Sequence, residues 1–306
     1  QKMESYSLGT NWAPVKLLET RTYSYDDTNW KDKLTEFDGD SITYDKNGNP
    51  LTYRDDMTFE WENGRILKNI NTSDKAIQMS YDSNGMRTQK TVDGVKTNYY
   101  YDSNKNLIAL VKGNDTLLFY YDSDGNATSF SYNGTMYFYV KNLQGDVIRI
   151  IDLAGTEVAS YVYDAWGNIK DTKGEPTIRE INPIRYRGYV YDTETSLYYL
   201  QSRYYDPFTG RFLNADDTHY IMFPSLMANL YTYCDNNAIS NTAAYASLTA
   251  GSYAGYPSYY ANSLGNADLG WEKTYSTDLA VDMSFLDNRI QFSFDWYTKK
   301  TTNLLY

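Results

Sequence analysis

Apolar and polar residues alternate along much of this chain with the two-residue period of β-strands. The pattern is concentrated in residues 186–216, where aromatic side chains alternate in this way. Two turn signals divide the stretch, Asp192-Thr193-Glu194-Thr195-Ser196 and Asp206-Pro207-Phe208-Thr209-Gly210. Because proline presets φ and glycine accepts a positive φ, the sequence predicts three short antiparallel strands with a Tyr/Arg face. The arginines of that face are Arg187, Arg203 and Arg211.

A Tyr-Asp (YD) pair, or a close variant, recurs at roughly 20-residue spacing through residues 1–180, the range of stacked repeats. Most copies precede a turn dipeptide, namely Asn47-Gly48, Asn63-Gly64, Asn84-Gly85, Asp124-Gly125, Gln144-Gly145 and Trp166-Gly167. A second set of turns follows about ten residues later, at Asp93-Gly94, Lys112-Gly113, Asn133-Gly134 and Ala154-Gly155. The spacing predicts that each repeat is a hairpin with type I′ turns, and that successive hairpins extend one long antiparallel sheet.

The YD residues themselves have predicted roles in this sheet. We expect each tyrosine to pack on the neighbouring repeat, and each aspartate to accept hydrogen bonds from turn amides. Residues 172–185 interrupt the repeat and are predicted to form a loop, and residues 224–228 a short helical turn. The predicted organisation is therefore repeats over residues 1–180, a compact core over 181–243 and a tail over 244–306.

The tail also alternates, with apolar residues at Leu279, Val281, Met283 and Phe285 and again at Ile290, Phe292, Phe294 and Trp296. Residues 286–289 separate the two runs as a turn. A hairpin with one apolar and one polar face fits either a soluble sheet with one solvent-exposed face or a transmembrane β-hairpin. Alternation alone favours the soluble sheet.

Composition narrows the possible functions. The 34 tyrosines among 306 residues far exceed normal usage and favour strands and half-buried surfaces. The net charge of −11 argues against nucleic-acid binding. No run of apolar residues is long enough for a transmembrane helix, and one cysteine allows no intrachain disulfide. A chain that begins at Gln1 without a signal-peptide pattern is expected to be a piece of a longer protein.

Candidate chemistry is sparse, and for each candidate a structural role is favoured. His219 is the only histidine and has no nucleophile at a recognised spacing, and Cys234 lies in an aromatic segment typical of a buried small hydrophobe. The loops at Asp45 and Asp122 alternate oxygen side chains as calcium loops do, but they lack the distant bidentate glutamate. We therefore predict no catalytic residue, no metal site and no cofactor.

The string in residues 186–216 resembles the RHS-repeat-associated core of RHS/YD-repeat proteins, with Ser196 where that family usually has glycine. The resemblance implies that the sheet forms part of a shell around a toxic polypeptide. It also implies aspartate-dependent self-cleavage, for which Asp206 and Asp216 are the candidates, because two carboxylates that share a proton can act as acid and base. However, the family's later Asp-Pro-x-Gly element is missing, and Asp206 already has a turn role.

Residues 245–306 resemble a different family, the SusC-like TonB-dependent outer-membrane transporters. The segments that carry this resemblance are residues 266–274 and 285–290. About three strands cannot form the transporters' barrel, so the tail is predicted to have no transport function.

The sequence thus predicts an all-β protein: a long antiparallel sheet of YD-repeat hairpins, forming part of an RHS shell, with a short β-hairpin tail. The predicted function is a non-enzymatic scaffold of a bacterial secreted or surface toxin-delivery protein, with a polypeptide cargo as its partner. Two alternatives remain open at this point. Exposed rows of tyrosine could bind cell-surface glycans, or the tail could mark an outer-membrane transporter fragment, with membrane contact only through the tail.

Overall fold

The computed structural model describes residues 1–8, 14–216, 229–234, 248–253, 256–261, 273–285 and 290–302. The chain divides into two compact units, Gln1–Asn241 and Thr242–Tyr306. The predicted all-β class is confirmed, because the described residues contain only one short α-helix, α1 (Pro176–Ile181), and one 3-10 turn (Tyr186–Gly188).

Three antiparallel sheets make up the first unit. The first contains β1 (Lys2–Leu8), β2 (Pro14–Ser24), β3 (Glu36–Phe37) and β4 (Asp40–Ser41). The second has 14 strands in chain order: β5 (Thr43–Tyr44), β6 (Pro50–Thr52), β7 (Thr58–Glu62), β8 (Ile66–Asn71), β9 (Ala76–Tyr81), β10 (Arg87–Val92), β11 (Val95–Tyr101), β12 (Leu107–Lys112), β13 (Asp115–Tyr121), β14 (Ala127–Tyr132), β15 (Thr135–Lys141), β16 (Val147–Ile151), β17 (Glu157–Tyr163) and β18 (Ile169–Gly174). The third contains β19 (Val190–Asp192), β20 (Leu197–Tyr199), β21 (Tyr204–Asp206) and β22 (Arg211–Phe212).

The 14-stranded sheet confirms that successive hairpins extend one antiparallel sheet, although the earliest strands, β1–β4, form a separate sheet. The pairing register shifts at the YD tyrosine in several repeats, as between Tyr100 and Tyr101 and between Tyr120 and Tyr121. Such a shift inserts an extra residue into one strand, which bends the strand and increases its twist. Repeated bulges along one side therefore bend the sheet at regular intervals.

Five of the YD aspartates organise the turn that follows them, as predicted, and Asp152, which follows an isoleucine, does the same. Asp82 Oδ1 accepts hydrogen bonds from the backbone amides of Asn84 at 2.8 Å and Met86 at 2.9 Å. The same pair of bonds recurs at Asp45, Asp102, Asp122, Asp152 and Asp164. The aspartate thus satisfies amides that the ladder leaves unpaired at the turn.

The prediction of type I′ geometry was wrong for most of these turns. At Asn84-Gly85 only the glycine has a positive φ, +78°, and the Gly85 amide donates to the Asp82 carbonyl. This is the pattern of a type I turn followed by a left-handed glycine. Two consecutive positive φ values occur instead at Asn63-Gly64, Asp93-Gly94 and Asn133-Gly134. The difference arises in the five-residue loops that begin with an aspartate. There the aspartate side chain accepts hydrogen bonds from the turn amides and so favours the type I geometry.

The YD tyrosines connect neighbouring repeats, which confirms the predicted packing. The hydroxyl of Tyr81 donates to the Leu67 carbonyl at 2.8 Å, and that of Tyr121 donates to the Leu107 carbonyl at 2.8 Å. In both cases the acceptor lies 14 residues earlier, in the preceding repeat. Each ring therefore buries its apolar body between hairpins while its polar end is satisfied.

Replacing Gly85 with valine tests the turn assignment. No atom lies within 4 Å of a Cβ built at this glycine, so the expected loss comes from the positive φ alone. We expect the free energy of unfolding to fall by about 1–2 kcal/mol, measured by urea denaturation. Unchanged stability would count against the repeat assignment, and Asn84→Val, at a position without positive φ, is the control.

Two sequence predictions about connecting segments need correction. Residues 172–185 are not simply a loop, since β18 continues to Gly174 and α1 follows with Pro176 at its first turn, where a missing amide costs nothing. Residues 186–216 form four strands and not three. The extra turn is at residues 200–203, where Gln201 has a φ of +61°. It lacks the glycine or proline that would have revealed it.

The second unit consists of two hairpins in its described residues. One pairs β23 (Leu248–Tyr253) with β24 (Tyr256–Ala261), and the other pairs β25 (Lys273–Phe285) with β26 (Ile290–Thr302). The backbone register of the second hairpin places Val281 opposite Phe294. The predicted turn at 286–289 and helical turn at 224–228 lie outside the described residues. In the part of the chain that is described, no helix meets the length and hydrophobicity needed to span a bilayer.

Candidate functional site

Residues 186–216 and 229–234, here called the core segment, are buried against the repeats. Every residue of β20 and β21 is buried, including Tyr198 and Tyr205, which are fully inaccessible. On one side, Leu197 and Tyr199 join a cluster with apolar residues of the early repeats. On the other, Tyr198 and Tyr205 pack with tyrosines of the core segment itself. A strand pair buried on both faces lies inside the fold and not on its surface.

A buried ion cluster joins the core segment to the middle repeats. Arg87 donates from both terminal nitrogens to the two carboxylate oxygens of Asp192, and Lys90 Nζ donates to Asp192 Oδ1 at 2.8 Å. The Arg87 guanidinium also lies 4.4 Å from the ring centre of Tyr199 and 4.7 Å from that of Tyr99. Burial alone would raise the pKa of Asp192, but the charges of Arg87 and Lys90 outweigh it and lower that pKa to about 2.

A second buried pair joins the core segment to the early repeats. Arg54 donates from Nε and from its second terminal nitrogen to the two oxygens of Asp206, both at 2.9 Å. The hydroxyl of Tyr53 donates to Asp206 Oδ2 at 3.1 Å, and the Phe208 amide donates to Oδ1 at 3.0 Å. Arg54 also lies over the Phe208 ring, 4.5 Å from its centre. This bidentate pairing makes Asp206 an anchor of the core segment.

The geometry does not support the shared-proton hypothesis for Asp206 and Asp216. The Asp206 carboxylate is fully buried and bound by Arg54, whereas Asp216 is about half exposed and lies 3.1 Å from a terminal nitrogen of Arg203. A dyad requires two carboxylates that share one proton, but here each aspartate is bound by a different arginine.

The three predicted arginines reach three different parts of the first unit. Arg187 donates to the Gln144 carbonyl at 3.2 Å, in a repeat turn. Arg203 lies over Phe212 within the core segment, 3.6 Å from the ring centre. Arg211 donates to the Asp32 carbonyl at 2.6 Å, in the first sheet's loop. They are connectors and do not form one recognition surface.

The remaining sequence candidates have structural roles or lie outside the described residues. Cys234 is half-buried beside the tyrosine cluster of the core segment, and His219 is not among the described residues. The oxygens of Asp45 and Asp122 accept bonds from their own turns. Within the described residues, no group of three acidic, histidine or cysteine side chains has metal-site geometry.

The sequence did not identify Arg54, Arg87, Lys90 and Asp192 as anchors of the core segment. No motif marks the three cations, and Asp192 was assigned only to a turn. The one available signal was a charged residue at a strand position that two-residue alternation assigns to the buried face. In β10 this signal is hidden, because the buried residues of that strand do not follow strict alternation.

Ser196, where the resembling family usually has glycine, has a φ of +59° in the turn between β19 and β20. Its amide donates to the Asp192 carbonyl at 2.9 Å, so the backbone is held in this strained conformation. We expect Ser196→Gly to raise the free energy of unfolding by about 0.5 kcal/mol, measured by urea denaturation. Thr195→Gly, at a neighbouring position without positive φ, should instead lower it. A loss in the Ser196 variant would contradict the assigned strain.

These features define a class of protein: a sheet of YD hairpins whose buried face is occupied by a tyrosine-rich closing segment of the same chain. The family model described as Teneurin YD-shell matches residues 6–239. The chain therefore belongs to the Teneurin YD-shell family, and it is a shell segment of the RHS/YD-repeat type.

Similar proteins agree with this assignment. The chain is 40% identical over 219 residues to the tRNA3(Ser)-specific nuclease WapA of Bacillus spizizenii, covering 70% of this chain and 9% of that protein. It is 38% identical over 219 residues to the tRNA nuclease WapA of Bacillus subtilis strain 168, with the same coverage. The chain thus spans about a tenth of the length of these relatives.

Solved structures share the fold. The crystal structure of TcdB2-TccC3-TEV matches with a TM-score of 0.54 at 18% identity, over 72% of this chain and 13% of that one. The Photorhabdus luminescens Tc holotoxin pore matches with a TM-score of 0.51 at 17% identity and the same coverage.

A short segment of 41 residues is 46% identical to TonB-dependent receptor P3 of Formosa agariphila, covering 13% of this chain and 4% of that receptor.

Proposed function

We propose that this chain is the closing part of a shell that holds a polypeptide against the inner face of its sheet. The observation that carries the proposal is the burial of the core segment, whose strands are buried on both faces between repeats and tyrosines. In the proposal, the sheet covers its own core segment here and covers the attached polypeptide where it continues in the longer protein.

The proposed partner is an attached polypeptide, and the proposed location is outside the cell or at its surface. The relatives named as tRNA nucleases are about ten times longer than the segment shared with this chain, so any such activity is proposed to lie elsewhere in the longer protein. The role of this chain is holding and not catalysis. Its buried aspartates support that role, because Asp192 and Asp206 are bound by arginines.

The arrangement of tyrosines favours the shell over glycan binding. In β11, Tyr99 is buried and Tyr100 is exposed, so neighbouring rings face opposite sides. The register places Tyr100 opposite Ala109, and Tyr120 opposite Ser129. The two exposed rings therefore do not pair across strands into a row on which sugar rings could stack. The similarity to a TonB-dependent receptor covers only 41 residues and supports no transport role.

Protease protection in the longer protein tests the proposal. We expect the polypeptide that follows this chain to resist trypsin for at least roughly ten times longer than the same polypeptide expressed alone, because enclosure prevents access. A variant that opens the shell, Arg54→Ala with Asp206→Ala, should remove the protection. Equal digestion rates in the attached and isolated polypeptides would refute enclosure.

A further inference from the structure

Four turns of the first unit contain the dipeptide Asn-Gly, namely Asn47-Gly48, Asn63-Gly64, Asn84-Gly85 and Asn133-Gly134. In this dipeptide the asparagine side chain can react with the next backbone nitrogen, because glycine has no Cβ to shield that nitrogen. Asparagine is accordingly one of the thermolabile residues of proteins. The reaction requires the side chain and the amide to rotate toward each other, so a hydrogen bond that holds either group opposes it.

In two of these turns the glycine amide is held by a hydrogen bond. The Gly48 amide donates to the Asp45 carbonyl at 3.2 Å, and the Gly85 amide donates to the Asp82 carbonyl at 3.1 Å. A reaction at either nitrogen must first break that bond, which also closes the turn. The five-residue turns that begin with an aspartate therefore protect their Asn-Gly dipeptides.

The other two turns share one backbone conformation but differ in the side chain. The φ values are +49° and +87° at Asn63-Gly64, and +48° and +88° at Asn133-Gly134. Neither of these glycine amides donates a hydrogen bond to a described residue. The Asn133 side chain, however, is held at both ends. Its Oδ1 accepts from the Thr116 amide at 2.8 Å, and its Nδ2 donates to Asp115 Oδ1 at 3.0 Å.

The Asn63-Gly64 turn has neither restraint. The Asn63 side chain makes no hydrogen bond to a described residue, and the Gly64 amide makes none either. Both residues are exposed, so water reaches the side-chain amide and the backbone nitrogen. Of the four Asn-Gly turns, this is the one in which both reacting groups are open to solvent and unrestrained.

We propose that Asn63 is a site of spontaneous deamidation, with water as the co-reactant. Hydroxide removes the proton of the Gly64 amide, whose nitrogen then attacks Cγ of Asn63. The new N–Cγ bond closes a succinimide ring, and the Cγ–Nδ2 bond breaks as Nδ2 takes a proton from water and leaves as ammonia. Water then opens the ring. Cleavage of the N–Cγ bond gives aspartate, whereas cleavage between the nitrogen and the Asn63 carbonyl carbon gives isoaspartate.

Isoaspartate at this position disturbs the contact between neighbouring repeats. The Gly64 carbonyl accepts from Asn49 Nδ2 at 2.7 Å, and Asn49 is only 2% exposed. Isoaspartate routes the main chain through the side-chain carbon Cγ, which lengthens the turn and displaces that carbonyl. A buried donor of Asn49 then loses its acceptor, at the cost of an unsatisfied polar group. Deamidation therefore loosens the link between this turn and the preceding repeat.

Peptide mapping by mass spectrometry, after incubation of the folded chain in mildly alkaline buffer, tests the site. We expect Asn63 to convert at least about fivefold faster than Asn47, Asn84 or Asn133, the rate ratio that one net hydrogen bond provides. The chain unfolded in urea is the control. There the four asparagines should convert at similar rates, because each is followed by glycine.

Asp115→Ala tests whether hydrogen bonds set the order of reaction. The substitution removes one of the two bonds that hold the Asn133 side chain. We expect conversion of Asn133 in the folded chain to become about fivefold faster, with the rate at Asn63 unchanged. An unchanged rate at Asn133 would show that its side-chain bonds do not protect it.

The melting temperature tests the structural consequence. A chain incubated until most of its Asn63 has converted should melt roughly 2–4 °C below the fresh chain. Asn63→Gly keeps a residue that accepts the positive φ but cannot deamidate, so incubation should not lower its melting temperature.

Two kinds of result would overturn the proposal. Equal rates at Asn63 and Asn133 in the folded chain, or no conversion at Asn63, would refute the assigned site. An equal fall in melting temperature in Asn63→Gly and the unsubstituted chain, or no fall in either, would refute the consequence for the contact between repeats.

Discussion

Replacing Asp192 with asparagine is expected to lower the free energy of unfolding by about 3–5 kcal/mol, the cost of breaking a buried ion pair from one side. The substitution preserves shape but leaves Arg87, which is fully buried, and Lys90 without their shared carboxylate. Glu194 remains 2.7 Å from Lys90 and compensates only that cation. We expect the melting temperature to fall by roughly 10 °C in calorimetry.

The matched control is Asp74→Asn. Asp74 also pairs with a lysine, Lys75, at 3.0 Å, but its side chain is 69% exposed. Solvent screens that pair, so the melting temperature should not change measurably. Equal losses in the two variants would mean that the buried cluster does not anchor the core segment.

The same residue predicts an acid dependence. The pKa of Asp192 is lowered to about 2 in the folded protein, against about 3.9 in an unfolded chain. Because the folded pKa is the lower one, this stabilisation is complete above the unfolded value and is lost as pH falls through 4 toward 2. Its size is on the order of 2 kcal/mol. Urea titrations between pH 5 and 2 should therefore show a smaller decline in Asp192→Asn than in the unsubstituted protein, and parallel curves would contradict the lowered pKa.

Replacing Gly167 with valine is expected to cost about 3–4 kcal/mol, the second largest effect. Gly167 has a φ of +91°, which alone disfavours a β-branched residue. In addition, a Cβ built there lies 2.7 Å from the Cγ and Cδ1 atoms of the Tyr186 ring. The Gly167 carbonyl also accepts from the Tyr198 hydroxyl at 2.9 Å, so the turn cannot move without disturbing the core segment. Urea denaturation measures the loss.

Gly85→Val serves as the matched control, since its φ is similarly positive at +78° but no atom lies within 4 Å of the added Cβ. The difference between the two variants isolates the contact between repeat turn and core segment, which we expect to contribute about 1–3 kcal/mol. Equal losses would show that Tyr186 yields freely and that this turn is not pressed against the core segment.

Local chemistry in the sequence determined the hairpin repeat and the way each repeat turns. A two-residue period and a Tyr-Asp pair before each turn act over a few residues, so they can be read without knowing what packs where. The roles of Asp82 and Tyr81 followed from this, as did the long antiparallel sheet. The turn type did not follow from the sequence, because hydrogen bonds to the aspartate side chain favour a different geometry from the one that Asn-Gly prefers elsewhere.

Only the tertiary structure decided how the core segment is held. Arg87 and Asp192 are 105 residues apart, and Arg54 and Asp206 are 152 residues apart. The bending of the fourteen-stranded sheet decides which strand positions face each part of the core segment. No local sequence pattern encodes that bend. The difference between Asn63 and Asn133 is equally invisible in the sequence, because both precede a glycine and only the fold brings Asp115 and Thr116 to the second of them.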